Sequence, residues 1–358
     1  MREKIKAGEI SVVVQGPIVD DPISPDREKL TSRCLKNIRK FLPGAEIILS
    51  TWKDSNLDGL EYDIVVENDD PGSYYRNDFF KVLNNVNRQI VSTKNGIFKA
   101  NKKYVLKLRS DVILESANFL KYFAKYKKKS DQFNILKERV LACTFFSRNP
   151  RWLRPYPFHP SDLVFFGLKE DLVNIWDIPL AKEPETSRWF EFNPRPTLDY
   201  YPPDLARYCP EQYIWISFLK KYNVIHCDHQ WDTSGHNIEL TELTFANNLV
   251  LIEPEKWQIS WVKYDKIRLV DWVSIYSHKE WLALYKKYCD NKLFLPINIE
   301  SWTKRFLLWS GIVRGVDLQT LKERKQFNDT CNQIKEMRNN ISELARQVNE
   351  IKETTKQY

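Results

Sequence analysis

The 358-residue chain lacks most of the short signatures that identify a chemistry at a glance. No G-x-G-x-x-G and no G-x-x-x-x-G-K-[ST] occurs, so neither glycine-rich phosphate loop is present. No Ser–His or Cys–His nucleophile motif appears. The six cysteines stand alone at 34, 143, 209, 227, 289 and 331, without a C-x-x-C pair, which excludes a zinc knuckle or a thioredoxin-type redox motif. No apolar run reaches the roughly 18 residues that span a bilayer. Residues 1–9 are too charged and too short of apolar length for a secretory signal. Repeats and low-complexity tracts are missing. The expectation is a soluble cytoplasmic protein with reduced thiols.

What is there is hydrophobic (42%), aromatic (13%) and basic (net charge +8). The length suits one large domain or two. Part of the excess charge is the run KYFAKYKKK at 121–129, a solvated face or a surface for anions. Net charge alone does not make the chain a nucleic-acid binder, and nucleic acid is not expected as a partner.

Segments of two periods alternate along the first third. ISVVVQGPI (10–18) reads as a strand ending in a sharp turn. Residues 26–42 carry a helical stripe closed by Pro43-Gly44. AEIILSTW (45–52) and YDIVVEND (62–69) read as strands. The spacing of Phe79, Val82, Leu83, Val86 and Ile90 predicts a helix over 76–94, stopped at Asn95-Gly96. KYVLKLRSDVIL (103–114) is the next strand. This order predicts an α/β fold with a mostly parallel sheet and a ligand beyond the carboxyl ends of its strands. The stretch 140–240 reads as long Pro- and aromatic-rich loops, with a strand at 161–167 and a helix at 210–222 that has proline in its first turn.

Lys107, Arg109 and Asp111 recur at every second position of an otherwise apolar strand, a spacing that turns all three to one face. An edge strand with a solvated face would show the same alternation. Ionic groups inside apolar surroundings need partners, and a nucleotide diphosphate supplies them. Lys107 or Arg109 would neutralise phosphate, and Asp111 would take a ribose hydroxyl or a divalent ion.

The segments VVVQGPI, LPGAEIILSTW, NRQIVSTKNGI, YVLKLRSD and PEQYIW together resemble the WavE family of lipopolysaccharide-synthesis proteins over about residues 8–240. The order of elements and the short acidic motif resemble the GT-A (Rossmann-like) fold of nucleotide-sugar glycosyltransferases, with Arg109-Ser110-Asp111 where those enzymes carry Asp-x-Asp. The resemblance implies transfer of a sugar from a nucleotide-sugar donor to a lipopolysaccharide or capsule glycan on a lipid-linked acceptor, with Mg²⁺ or Mn²⁺ as an optional cofactor. It implies that Gln15 and Gly16 lie against nucleobase or ribose, that Asp69 and Asp70 bind the base or ribose, and that Arg88 meets a phosphate or the base. It implies Glu211 as the base for the acceptor hydroxyl, with Asp162 as its rival. A bare turn, a polar helix face and an acid favoured by a helix dipole explain the same residues more simply. In HCDHQWDTSGH (226–236) the spacing matches no zinc pattern. His236 would complete a metal site with Asp111 or a diphosphate contact; loop histidines are the simpler reading.

Three parts are expected: the transferase domain at 1–252, a helical aromatic-rich extension at 253–318, and a coiled coil at 319–358. The amphipathic stretch 301–316 is either core packing or a foot on the cytoplasmic face of the inner membrane. The heptads Phe327, Ile334, Ile341 and Val348, with Met337, Leu344 and Ile351, would pair two copies or grip a biosynthetic partner. The alternative function is a non-catalytic scaffold working through that coiled coil.

Overall fold

A computed structural model describes residues 5–20, 29–77, 81–196, 204–261 and 269–313. The expected coiled coil and Phe79 lie outside them. The chain divides into two units. One comprises residues 1–196 and 203–304, the other 197–202 and 305–358.

The first unit is built on strand β1 (Ile10–Gln15), helix α1 (Leu30–Phe41), β2 (Glu46–Trp52), β3 (Ile64–Asn68), the hairpin β4 (Tyr74–Asn77) and β5 (Val82–Asn84), helix α2 (Val86–Lys99), β6 (Tyr104–Arg109) and β7 (Val112–Leu114). There follow β8 (Val140–Cys143), β9 (Val164–Leu168), α3 (Lys169–Trp176), α4 (Pro210–Leu219), α5 (Asn237–Asn248), β10 (Leu249–Ile252), α6 (Pro254–Trp257), β11 (Ile259–Trp261), α7 (Leu269–Ser274) and α8 (His278–Tyr288). The last described helix, α9 (Ile299–Trp309), begins in this unit. Among the described residues no helix is long and apolar enough to cross a membrane.

Seven strands form one mixed sheet in the order β10-β8-β9-β6-β1-β2-β3. Only β9 runs against its neighbours; the other pairs are parallel. β1, all six residues of which are buried, sits between β2 and β6. From β1 the chain builds outward through β2 and β3, then returns to add β6 on the other side. That reversal makes the β1–β6 junction the switch point where such sheets open a crevice. Register places Gln15 opposite both Ser50 and Arg109, so the ends of three strands meet at one level.

Three expectations change here. The strand expected over 103–114 breaks at Ser110-Asp111 into β6 and β7, which pair in different sheets, so Asp111 lies in a turn and not on the strand face of Lys107 and Arg109. The helix placed at 76–94 runs instead from Val86 to Lys99, and Val82 and Leu83 belong to the hairpin, 44% and 39% exposed. Their apolar spacing fits a helical stripe, but the hairpin uses them at its surface. Nor does Asn95-Gly96 stop the helix. A Cβ on Gly96 would lie 2.4 Å from Val13 Cγ1 and 3.1 Å from Ser50 Cβ. Glycine is there because α2 lies directly against β1 and β2, not because the chain turns.

Candidate functional site

A cleft of about 520 Å³ opens at the β1–β6 switch point. Its floor is the turn after β1 and the turn after β6, sewn together. Ser110 N donates to Gln15 O at 2.9 Å, Ser110 Oγ donates to Pro17 O at 2.6 Å, and Gly16 N donates to Ser50 O at 3.1 Å. Gly16 adopts φ +119°, and a Cβ there would lie 3.1 Å from Ser110 Oγ. Only glycine takes that backbone at so close an approach without strain.

Two helices direct their amino-terminal ends at the cleft. From α2 come Arg88, Gln89 and Ser92, and from α4 come Pro210 and Glu211. Unpaired N–H groups and the helix dipole at such ends favour an anion. Ser92 Oγ donates to Gln15 Oε1 at 2.8 Å, which fixes the Gln15 side chain. Gln89 Oε1 is buried without a hydrogen-bond partner.

Two arginine–carboxylate pairs lie in the cleft. Arg88 grips Asp70 with two bonds of 2.7 and 2.6 Å. Arg109 grips Asp111 with two of 3.0 and 2.6 Å. Bidentate pairs of this kind hold a guanidinium in a set orientation before any ligand arrives. Asp70 is drawn below the ordinary aspartate range, chiefly by its bond from Arg88.

Asp162 and Glu211 also line the cleft. Asp162 is 5% exposed and its Oδ2 is buried without a partner. Burial first, and the Glu211 charge second, raise its pKa. Burial also raises that of Glu211, although Arg76, Arg148 and Arg109 oppose the rise. The Glu211 side chain keeps 18% of its surface open, and His159 Nε2 stands 3.6 Å from its Oε2. His159 is pushed down to about 3, by burial and then by Arg148, so it is neutral near pH 7. Two carboxyls with raised pKa values in one cleft are suited to proton transfer.

The structure brings together Gln15, Gly16, Arg88, Arg109, Asp111, Asp162 and Glu211 around this cleft. Asp69 is not among its lining residues and pairs with Lys53 at 2.7 Å on the surface. Asn84, within the span expected to be helical over 76–94, ends β5 instead and donates to Ser187 Oγ at 3.1 Å. Lys107 is displaced as well. It is 0% exposed and bonds to Asp162 O, with Trp176 of α3 beneath its ammonium at 5.1 Å. Lys107 and Arg109 do share a face of β6, but Lys107 is one step deeper, where α3 covers the sheet. It cannot reach a ligand in the cleft and acts beneath the Asp162 turn.

His236 is exposed at the start of α5 and does not line the cleft. Among the described residues no group of three or more His, Cys, Asp or Glu is arranged to hold a metal ion. Asp70 and Asp111 are each occupied by an arginine. As they stand, these residues do not fit a protein-held ion.

Some lining residues carried no legible signal. Trp52, Leu83 and Phe146 are apolar residues of a strand end, a hairpin and a loop. Gln89 was visible only as one polar residue on a helix face.

The family model for WavE lipopolysaccharide synthesis matches residues 10–314, and no curated protein matches the chain. The matched span runs from the first residue of β1 through both walls of the cleft and past α9, so the chain belongs to the WavE lipopolysaccharide synthesis family.

Proposed function

We propose that the protein is a GT-A-like glycosyltransferase that moves a sugar from a nucleotide-sugar donor to a lipopolysaccharide or capsule glycan acceptor. The observation that carries this reading is the pairing of an anion-binding wall with a proton-transfer wall in one cleft. Arg88, Arg109 and the amino end of α2 form the first; Asp162 and Glu211 form the second.

The donor's base and ribose lie against Gln15 and Gly16, where the backbone allows close approach. Its diphosphate lies between Arg88 and Arg109. As the glycosyl–phosphate bond breaks, negative charge grows on the leaving diphosphate, and the oriented guanidinium groups and helix end stabilise it. Donor binding shifts Arg109 from Asp111 towards phosphate and frees Asp111 for a ribose hydroxyl. Asp162 accepts a sugar hydroxyl at its unpartnered Oδ2. Glu211, open to the cleft, takes the proton from the acceptor hydroxyl in an inverting transfer. Its raised pKa makes it a stronger base than an exposed glutamate.

Calorimetric titration with UDP-, GDP- and CMP-sugars tests donor binding, with product detection by mass. One donor is expected to give saturable heat; no response to any of them would return the protein to the scaffold reading. With that donor, Glu211→Gln lowers turnover by about 10²–10⁴-fold with donor affinity retained. Unchanged turnover would remove Glu211 from the chemistry.

A further inference from the structure

The edge of the first unit formed by the end of α8 carries an apolar loop beside a basic strip. Between α8 and α9 the chain reads NKLFLPIN (291–298). Leu293 packs against the core, whereas Phe294 and Ile297 are each 87% exposed and Ile299, the first residue of α9, is 70% exposed. Water around three large apolar side chains is unfavourable, and a soluble surface rarely groups them without a contact to make.

The surrounding charge is predominantly basic, although Asp290 and Glu300 flank the loop and Lys287 pairs with Glu242 at 2.9 Å. Lys286 and Lys287 end α8, and Lys292 opens the loop. The run 121–129, which has five lysines and no acid, lies alongside the same helix in the same direction. Tyr122 packs on His278, and Tyr126 on Trp281 and Tyr285. Lys128 N then donates to the Tyr285 hydroxyl, and its ammonium pairs with Asp290 at 2.7 Å. The basic run therefore ends at the base of the apolar loop. This run and this loop play no part in the cleft.

We propose that this edge docks on the surface of an anionic lipid bilayer, with Phe294, Ile297 and Ile299 entering the headgroup–acyl boundary and the lysines facing lipid phosphate. The charge pattern selects this occupant. Apolar tips flanked by lysine match a layer that is negative at its surface and hydrocarbon a few ångströms below. The proposal stands independently of the reaction at the cleft.

Co-sedimentation of the full chain tests it, with phosphatidylglycerol–phosphatidylethanolamine vesicles against pure phosphatidylcholine. Binding is expected to the anionic vesicles and to weaken with salt. Phe294→Ser with Ile297→Ser lowers partitioning by about 100-fold. Lys286→Gln with Lys292→Gln lowers it by about 30-fold. Phe294, Ile297 and Lys292 are exposed and Lys286 is half-buried, and both variants melt with the parent. Equal sedimentation of parent and variants, or no binding by the parent, overturns the proposal. So does a serine variant that loses self-association in sedimentation equilibrium but keeps its vesicle binding, which assigns the edge to a second copy.

Discussion

Replacing Lys107 by methionine gives a quantitative test of how the cleft floor is built. The ammonium is fully buried, and burial lowers its pKa from 10.5 to about 8, against the pull of Asp162. The native state therefore releases this proton more readily than the unfolded chain. Between pH 8 and 10.5 the unfolded chain holds one more proton, so stability rises with pH across that window. At 1.36 kcal/mol per pH unit the rise is about 3 kcal/mol. Below pH 8 the folded protein carries this penalty in full; above 10.5 it is relieved. Lys107→Met removes it at every pH and retains most of the side-chain volume, but gives up the bond to Asp162 O and the contact with Trp176. Guanidinium unfolding followed by tryptophan fluorescence, at intervals from pH 7 to 11, gives the stability of both proteins. Tyrosines and cysteines of the unfolded chain also titrate in this range but cancel in the difference. The parent is expected to gain about 3 kcal/mol relative to the variant over the series. A difference independent of pH would show that the ammonium is not desolvated as described.

Other outcomes follow from the same geometry. Gly96→Ala drives a Cβ into Val13 and Ser50. Overpacking of about 1–3 kcal/mol outweighs a helix-propensity gain of at most ~1 kcal/mol, so the variant melts about 2–6 °C lower. An equal or higher melting point would mean that α2 does not lie so close. Asp111→Ala leaves a folded protein that no longer transfers sugar, because Arg109 loses its orienting partner and the ribose its acceptor. Normal turnover by that variant would refute its place in the site.

The alternation of periods in the first third was enough to indicate an α/β fold, since a strand buried on both faces and a helix with one apolar stripe each leave a local pattern. Gln15-Gly16, Arg109-Asp111 and the amino end of the PEQYIW helix were legible for a related reason. Polar groups at the end of an apolar element stand out against it. The same local rules failed where a distant partner decided. Gly96 looks like a stop until the strand beneath α2 is in place. Lys107 looks like a cleft residue until α3 covers it. The reversed strand β9 and the meeting of Asp162 with Glu211, 49 residues apart, depend on contacts that no window of sequence contains. Composition and periodicity thus determined the kinds of element and the chemistry available at their ends. Which side chains face one another, and which are sealed beneath, was decided by tertiary packing, because burial belongs to the surface that covers a residue and not to the residue.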